Sequence, residues 1–456
     1  MTVRRIECTG RFRPVHFPVS LCSVAAGLAL VAVPAPAIAS PALAATGATV
    51  AAAAAGEGIS DFYRAREARP LWLASPGAGE ALVALLDNAN VDGFNRDKYR
   101  IRQVSRALSA ARSGDYRAVQ RAEQMLSEAF VAYARDLRSA PDIGIYYVDR
   151  ELVPRAPSAR QLLEQAAAAP SLTDYVERMG WMNPLYGQLR QALVNRAYSG
   201  EAQRRTIQLN LERARTLPAG GQRHVIVNSA AQRLYMYENG EVVGSMRVVV
   251  GKPHHQTPMM TAFIRNVTLN PYWNVPPDLA AERIAPNVVK SGLGYLRSRG
   301  YQVLSDWSDK AKLVDPATID WTAVAEGRRE VRLRQLPGSS NGMGKMKFMF
   351  PNDEGVYLHD TPEDQLFSEA SRLFSGGCVR LEDAPRLAEW LFGKPVRVPR
   401  GGKAEQEVPL PELVPVYLTY MTVLPSGNRL AFYDDIYGRD RARLAQISAG
   451  ERVAIR

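Results

Sequence analysis

Cysteine is scarce in this sequence: the 456 residues include 3, at Cys8, Cys22 and Cys378. The first two lie in an N-terminal segment whose pattern predicts its removal, so the mature chain is expected to keep one. A single cysteine excludes an internal disulfide framework. The thiol of Cys378 is therefore either a small buried apolar group or a nucleophile, and its neighbours must decide between the two.

Histidine is also scarce, with 5 in the chain and none between Phe17 and His224. Stripes of basic residues interleaved with aromatics are absent as well, which argues against a nucleic-acid partner. The formal net charge is +11. It falls to about +8 without residues 1–39, which carry four Arg and one Glu. Such a charge favours anionic surroundings, such as phospholipid surfaces or carboxylate-rich polymers.

Residues 1–39 have the pattern of an export signal. The basic start "MTVRRIECTGRFR" precedes an apolar run from Val19 to Val33, and Ala37-Ile38-Ala39 has the small-x-small form of a cleavage site. The run is about 15 residues long, shorter than the roughly 20 that a membrane-spanning helix needs. We predict cleavage near Ala39 and no stable transmembrane segment afterwards; an uncleaved anchor is the alternative. Residues 40–57 are Ala-rich and are predicted to be a linker.

The segment 58–217 is predicted to be mostly helical. Apolar side chains recur there at steps of three and four residues, which places them in one buried stripe: Ala122, Met125, Leu126, Ala129, Phe130, Tyr133 and Leu137. The segment holds no cluster of catalytic residue types. We interpret it as a helical scaffold domain, with a role in substrate recognition as the alternative.

From about residue 222 the sequence becomes rich in β-branched and aromatic residues. Asn239-Gly240 stands between two such runs and predicts a type I′ hairpin turn. We predict a mainly β catalytic domain over 222–400, interrupted by a helical and irregular lid insertion at about 276–335, and a C-terminal β extension over 401–456 that packs on it. The fold class is thus α+β, a helical domain followed by a mainly β domain.

The neighbours of Cys378, in "SGGCVR", favour the nucleophile. Gly376 and Gly377 allow a ligand to approach the backbone and leave N–H groups free for an oxyanion. The following "LEDAPRLAEWLF" predicts a helix, whose N-terminus would lower the pKa of the thiol. Arg380 adds positive charge that suits a substrate carboxylate. His359, nineteen positions upstream, is the candidate base.

The stretches "VYLHDTP" and "LFSEASRLFSGGCVRLEDAPRLAEWLF" together resemble the signature of the L,D-transpeptidases of bacterial cell walls. Further stretches resemble the large branch of this family, which carries a scaffold domain and a YkuD-type catalytic domain: "FYRAREARPLWL", "LNLERARTLP", "GKPHHQTP", "NPYWNVPPDLA", "RQLPGSSNGMGKMKFMFPN" and "FYDDIYG". The likeness runs from about residue 59 to the C-terminus. Many members have His in place of Gly376 and Asn in place of Arg380, and the Arg form suits the large branch.

The resemblance implies a β-sandwich catalytic domain and a periplasmic enzyme that joins peptidoglycan stems. Cys378 would attack the third residue of a tetrapeptide stem, release D-Ala and form a thioester, with His359 as the base. The amine of a second stem would then give a 3→3 cross-link. The backbone N–H groups of Gly377 and Cys378 would hold the oxyanion. The family uses no metal or organic cofactor, and carbapenem β-lactams are its expected inhibitors.

Substrate-binding roles are expected for five residues around this pair: Tyr357, Arg380, Ser375, Gly376 and Trp273. Tyr357 lies two positions before His359 and so on the same face of a strand, where a pocket role and a core role stay open. Trp273, in "NPYWNVPP", lines the cleft or supports the lid, or is plain packing. Ser375 is expected to shape the loop by hydrogen bonding.

Three other polar groups invite a functional interpretation. His254-His255 suggests a metal pair, but no carboxylate stands at a useful spacing, so we predict an exposed loop and no metal. Asp360 either orients His359 or belongs to a local turn. Asp434 and Asp435 are adjacent, so their side chains would point to opposite faces of a strand and could not act together.

Three other functions compete with stem cross-linking. An L,D-carboxypeptidase or other hydrolase of the same fold would let water resolve the thioester. Attachment of proteins to peptidoglycan would use another acceptor. The alternative outside the enzymes is a non-catalytic scaffold that binds the cell wall. It predicts ordinary thiol reactivity at Cys378.

Overall fold

The computed structural model describes residues 58–399, 401–427 and 429–454. The predicted export signal at 1–39 and the Ala-rich linker at 40–57 lie outside these residues. Within the described ranges, no helix is both long enough and apolar enough to cross a membrane.

Helices form the N-terminal part of the described chain, as the apolar periodicity predicts. The longest spans Tyr116–Leu137 and begins at Asp115, whose carboxylate accepts a hydrogen bond from the Ala118 N–H at 2.9 Å. Its predicted stripe is buried except for Met125, which is half-buried. The other helices are 58–65, Ala78–Asp87, Ile101–Ala111, Ala159–Ala168, Leu172–Glu177, Pro184–Val194 and Gly200–Ala214, with short 3-10 turns at Ala89–Asp92, Arg96–Tyr99 and Arg150–Leu152.

The strands follow the helical part almost without exception. In chain order they are β1 (Tyr146–Tyr147), β2 (His224–Asn228), β3 (Arg233–Glu238), β4 (Glu241–Gly251), β5 (Met260–Leu269), β6 (Trp273–Val275), β7 (Tyr301–Leu304), β8 (Leu313–Val314), β9 (Arg332–Gln335), β10 (Met346–Met349), β11 (Leu358–His359), β12 (Leu373–Ser375), β13 (Val379–Leu381), β14 (Gln406–Thr419), β15 (Val423–Ser426) and β16 (Arg429–Phe432). The turn between β3 and β4 is the predicted one, with φ of 53° at Asn239 and 82° at Gly240.

The main sheet has the order β1-β5-β10-β11-β13-β4-β3-β2-β14, and β14 also pairs with β5. Its hydrogen-bonded path therefore closes into a ring, which leaves β2 and β5 without a free edge on that side. Val416 of β14 lies opposite Val225 of β2 and opposite Ala262 of β5. Buried apolar side chains of these strands fill the ring. The predicted mainly β domain is confirmed, and one continuous path through β14 joins the two sides of the expected β-sandwich.

The C-terminal region differs from the predicted β extension in two respects. β14 is a member of the ring rather than an addition to it, and a helix over Arg439–Ala454 follows β16. Asp440 in the first turn of that helix forms a buried ion pair with Arg213 at 2.6 Å. The last part of β14 is buried on both faces because the ring core covers Val416 and Leu418 while the scaffold helices pack on Tyr417, so it lacks the alternation that marks a surface strand.

The lid insertion is more regular than the sequence indicates. It contains helical segments at Pro277–Leu279, Ala280–Ile284, Ala285–Ser291, Gly294–Ser298 and Trp321–Ala325, and its strands join β6 in a second sheet of order β6-β9-β7-β8. Leu296, Val303, Trp321 and Leu333 belong to a separate apolar core. The lid is therefore a small folded layer rather than an irregular loop.

The scaffold helices and the ring share one apolar core. Leu211 and Leu217 from the helical part are buried in the same cluster as Ile226 of β2 and Tyr417 of β14. The helical domain thus packs directly on the strands that close the ring.

Candidate active site

Two neighbouring parallel strands position the candidate catalytic residues: His359 ends β11, and Cys378 directly precedes β13. β11 and β13 pair with Leu358 opposite Val379 and His359 opposite Arg380. Leu358 and Val379 point into the ring core. Because side chains alternate along a strand, His359, Arg380 and Cys378 face the other way, into a cleft between the ring and the lid.

This cleft has a volume of about 640 Å³. Every side chain or glycine that the sequence predicts for the site, apart from Gly377, lies along it: Trp273, Tyr357, His359, Ser375, Gly376, Cys378 and Arg380. The sequence left open whether Tyr357 lies in a pocket or in the core, and the structure places it along the cleft. Trp273 both lines the cleft and belongs to the lid sheet, where its ring contacts that of Tyr301 at 6.3 Å between centroids.

Ser375 holds the nucleophile loop together. Its hydroxyl donates to the Cys378 carbonyl at 2.6 Å and accepts from the Gly377 N–H at 3.2 Å. The loop-shaping role predicted for Ser375 matches these contacts. The Gly377 N–H was predicted to be free to bind an oxyanion. In this conformation it is not free, because it donates to the Ser375 hydroxyl.

Glycine suits both positions before Cys378, and the backbone conformation requires it at Gly377. Gly377 has φ of 113°, a conformation that residues with a Cβ rarely adopt. A Cβ at Gly376 would lie 2.8 Å from Leu279 Cδ1 of the lid. The lid therefore packs directly on the backbone of the nucleophile loop.

Two residues that the sequence analysis missed support the backbone next to Cys378, Thr257 at the Gly377 carbonyl and Tyr437 at Gly251. The Thr257 hydroxyl donates to the Gly377 carbonyl at 2.8 Å and accepts from the Gly251 N–H at 3.0 Å. Tyr437, near the C-terminus, donates to the Gly251 carbonyl at 2.7 Å. These contacts span 120 and 186 positions in the chain, so no local sequence pattern predicts them. Both residues nevertheless lie in stretches that carry the family resemblance, "GKPHHQTP" and "FYDDIYG".

Thr257→Val is expected to lower turnover about 10-fold or more and to cost about 1–3 kcal/mol of unfolding free energy, because it leaves a buried carbonyl and a buried N–H unpaired. Steady-state rates and thermal unfolding check this. Thr257→Ser keeps the hydroxyl and should restore most of the rate. Equal rates for Thr257→Val and wild type would show that the Gly377 backbone needs no such support.

The orientation of His359 is set by a main-chain group. Its Nδ1 lies 2.6 Å from the Asp360 carbonyl, which can only accept, so Nδ1 carries the proton and Nε2 is left as the basic atom. The Asp360 carboxylate instead accepts from the Lys345 N–H at 2.7 Å. Asp360 therefore serves both predicted roles, orienting the ring with its carbonyl and the turn with its side chain.

Both candidate catalytic groups are neutral at rest. Burial lowers the pKa of His359 to about 3, with further lowering by the charges of Arg380 and Lys347. Burial raises the pKa of Cys378, and it outweighs the opposing effects of a main-chain hydrogen bond from Tyr357 and of the same two cations. The predicted lowering of the thiol pKa by a helix N-terminus is wrong for this state. β13 separates Cys378 from the helix over Ala384–Phe392, which Asp383 caps.

Arg380 is buried at the cleft and forms an ion pair with Glu363. Lys347 lies opposite His359 on β10, and its ammonium sits 4.7 Å from the centre of the Tyr357 ring. Neither Glu363 nor Lys347 was predicted for the site. A lysine flanked by buried Met346 and Phe348 on a strand is the signal that could have identified the latter.

The remaining candidates from the sequence, the Asp434-Asp435 pair and the His254-His255 pair, do not line the cleft. Asp435 accepts from the Tyr420 hydroxyl at 2.8 Å and from the Asp440 N–H at 3.2 Å, which is a structural role. His255 lies 3.1 Å from Glu282 of the lid. The expectation that no carboxylate comes near the histidine pair is therefore wrong, because the lid folds back over a distance that sequence spacing does not reveal.

Comparisons with known proteins agree with this arrangement. Residues 222–398 match the family model of the L,D-transpeptidase catalytic domain (YkuD), and residues 57–193 match that of the Scaffold domain. A protein of Haemophilus influenzae named "Putative L,D-transpeptidase" is 31% identical over 286 residues, which cover 61% of this chain and 57% of that relative. The chain thus spans somewhat more than half of the relative's length.

Two solved structures give weaker likenesses. An L,D-transpeptidase from Mycobacterium smegmatis is 14% identical, covers 44% of this chain and 60% of its own, and has a TM-score of 0.21. The Ldtfm–avibactam carbamoyl enzyme is also 14% identical, with 45% and 51% coverage and a TM-score of 0.21. Such scores are too low to bear on this chain, whose relationship rests on the two domain matches.

Proposed function

We propose that this protein, which carries an L,D-transpeptidase catalytic domain behind a scaffold domain, forms 3→3 cross-links between peptidoglycan stems through a thioester at Cys378. The observation that carries the proposal is the register of β11 and β13, which turns His359 and Cys378 into one cleft of the matched domain. The signal-like pattern of residues 1–39 supports a periplasmic location for this activity.

In the first half-reaction, His359 Nε2 takes the thiol proton as Cys378 Sγ attacks the carbonyl carbon of the third stem residue. The C–N bond to the terminal D-Ala breaks, and the proton on Nε2 passes to the leaving amine. A neutral imidazole beside a neutral thiol suits this order, because the thiolate forms only as the substrate arrives.

The oxyanion of this step needs donors beside Sγ. The Cys378 N–H is proposed as one, worth roughly 3 kcal/mol in comparable acyl-transfer sites. The Gly377 N–H joins it only if the Ser375 hydroxyl rotates away. Arg380 is proposed to bind a stem carboxylate in exchange for Glu363, because a buried guanidinium keeps a charged partner.

In the second half-reaction, the side-chain amine of another stem attacks the thioester carbonyl. A new C–N bond forms, the C–S bond breaks, and His359 carries the amine proton back to sulfur. Aromatic and apolar groups on the lid side, including Trp273 and Leu279, line the cleft and are proposed to disfavour water as the acceptor. We also propose β-lactams of the carbapenem type as acylating inhibitors of Cys378, as the family resemblance implies.

Mass spectrometry of products from purified disaccharide-tetrapeptides tests the proposal, with an enzyme-free incubation as the blank. Dimers that have lost one D-Ala, with fragmentation that places the link between two third residues, are the expected product. Tripeptide without dimers would make the protein an L,D-carboxypeptidase. No change in the substrate, with intact stems and folded protein, would contradict both and favour a wall-binding scaffold.

A further inference from the structure

A cluster of metal-ligating side chains lies where the lid meets the ring. His254 and His255 belong to the loop between β4 and β5, and Glu282 belongs to the first helical turns of the lid. One donor atom from each of the three lies within 4.8 Å of the other two. No other such cluster of histidine, cysteine and carboxylate groups occurs among the residues that the structure describes.

The closest pair already has the spacing of two ligands on one ion. His255 Nε2 lies 3.1 Å from Glu282 Oε1 and 3.2 Å from Oε2. Two ligands at the usual bond lengths of tetrahedral zinc lie about 3.3 Å apart, so this pair needs almost no movement. His254 is exposed and its ring centroid is 4.6 Å from that of His255, which lets a rotation of its side chain supply the third ligand.

A fourth residue fits the role of an orienting partner. Asp278 stands four positions before Glu282 on the same helical segment, so both carboxylates face the loop. Its Oδ2 lies 3.7 Å from His255 Nδ1, the ring nitrogen opposite the one that faces Glu282. Metal-bound histidines commonly direct their second nitrogen at a carboxylate in this way.

The cluster also joins two segments that both touch the nucleophile loop. On the lid, Leu279 lies between Asp278 and Glu282 and packs on Gly376. On the ring, the carbonyls of His255 and Gln256 lie 3.9 and 3.8 Å from the position a Gly377 Cβ would take. An ion held between these segments would fix the lid over the paired glycines.

We propose that His254, His255 and Glu282 bind a divalent transition metal of the zinc class, with Asp278 orienting His255, and that the ion fastens the lid to the ring. The proposal is independent of the acyl-transfer chemistry, because the Cys378 thiol and His359 are not ligands. The ion has a structural role, holding the lid in the position that it has in this structure.

Zinc titration by calorimetry tests this in the full chain carrying Cys8→Ala, Cys22→Ala and Cys378→Ala and no histidine tag, so that neither a thiol nor a tag can bind the ion. One Zn²⁺ per chain is expected. Adding His255→Ala or Glu282→Gln should weaken binding at least about 100-fold, and Asp278→Asn roughly 10-fold. Glu330→Gln, which alters an exposed lid carboxylate outside the cluster, should leave the affinity unchanged.

A second readout separates a lid clamp from adventitious binding. Zn²⁺ should slow amide hydrogen exchange in residues 277–284 of the Cys378→Ala chain and have no such effect once Glu282→Gln is added. Co²⁺ should give the visible absorption of a tetrahedral site. Equal zinc affinity with and without Glu282→Gln, or no binding at all, would overturn the proposal and leave His255 as a partner of Asp278 and Glu282 in ion pairs alone.

Discussion

Cys378→Ser is expected to lower the rate of acyl-enzyme formation by about 10⁴-fold or more, as nucleophile replacements do in acyl-transfer enzymes. The reason is that His359 and Cys378 are both neutral before the substrate binds. A His359 whose pKa is about 3 is a weak base, which can assist a thiol but not the far less acidic hydroxyl of serine. Intact-protein mass spectrometry after mixing with tetrapeptide or a carbapenem would measure the adduct.

The serine variant should fold normally, because the Cys378 sulfur contacts only main-chain groups among the described residues, the Tyr357 N–H and, at 3.7 Å, the Gly355 carbonyl, which a serine hydroxyl can also bind. Thermal unfolding should therefore match the wild type, and Cys378→Ala should show the same stability with no adduct at all. Acylation of Cys378→Ser within about 10-fold of the wild-type rate would mean that the thiol is not the attacking group.

His359→Asn is expected to lower turnover about 10³-fold, within the range that general-base catalysis contributes. Asparagine can still donate an N–H toward the Asp360 carbonyl, as Nδ1 does at 2.6 Å, but it has no atom in place of Nε2. The variant thus removes the base while keeping the contact that orients the side chain. The rate of thioester formation in a single turnover measures the effect.

The dependence on pH gives this variant a signature that a misfolded protein would lack. In the wild type, His359 loses its proton near pH 3 and the thiol pKa lies above its ordinary value, so the neutral pair persists across the assay range and the rate should be flat from roughly pH 5 to 8. Without the base, only the spontaneous thiolate reacts, and its fraction rises about 10-fold per pH unit below the thiol pKa. A flat profile for His359→Asn would contradict the assigned role.

Local patterns predicted the parts of the site that are local. The shared face of Tyr357 and His359 followed from the period of a strand, and the glycine pair followed from the need for close backbone approach. The fold class also followed, because helical and β-type periodicity occupy separate halves of the chain.

The rest of the site depends on pairings that one sequence does not contain. Thr257 and Tyr437 reach Gly377 and Gly251 through contacts between distant segments. The thiol pKa was misjudged because burial, which has no sequence pattern here, outweighs the neighbouring cations. The Gly377 amide was expected to be free because the sequence does not reveal which groups the Ser375 hydroxyl binds. In the structure that hydroxyl accepts the Gly377 N–H.

The strand β14 has a consequence for how the molecule is made. Val416 lies 191 positions after its partner Val225 and 154 after Ala262, and loop closure makes contacts of such separation slow to form. A growing chain can assemble its helices early, but β2 and β5 keep unpaired edges until Gln406–Thr419 of β14 have been synthesised. Synthesis that stops short of β14 should therefore give an aggregating product rather than a partly active one, and activity should be the last property the nascent chain acquires.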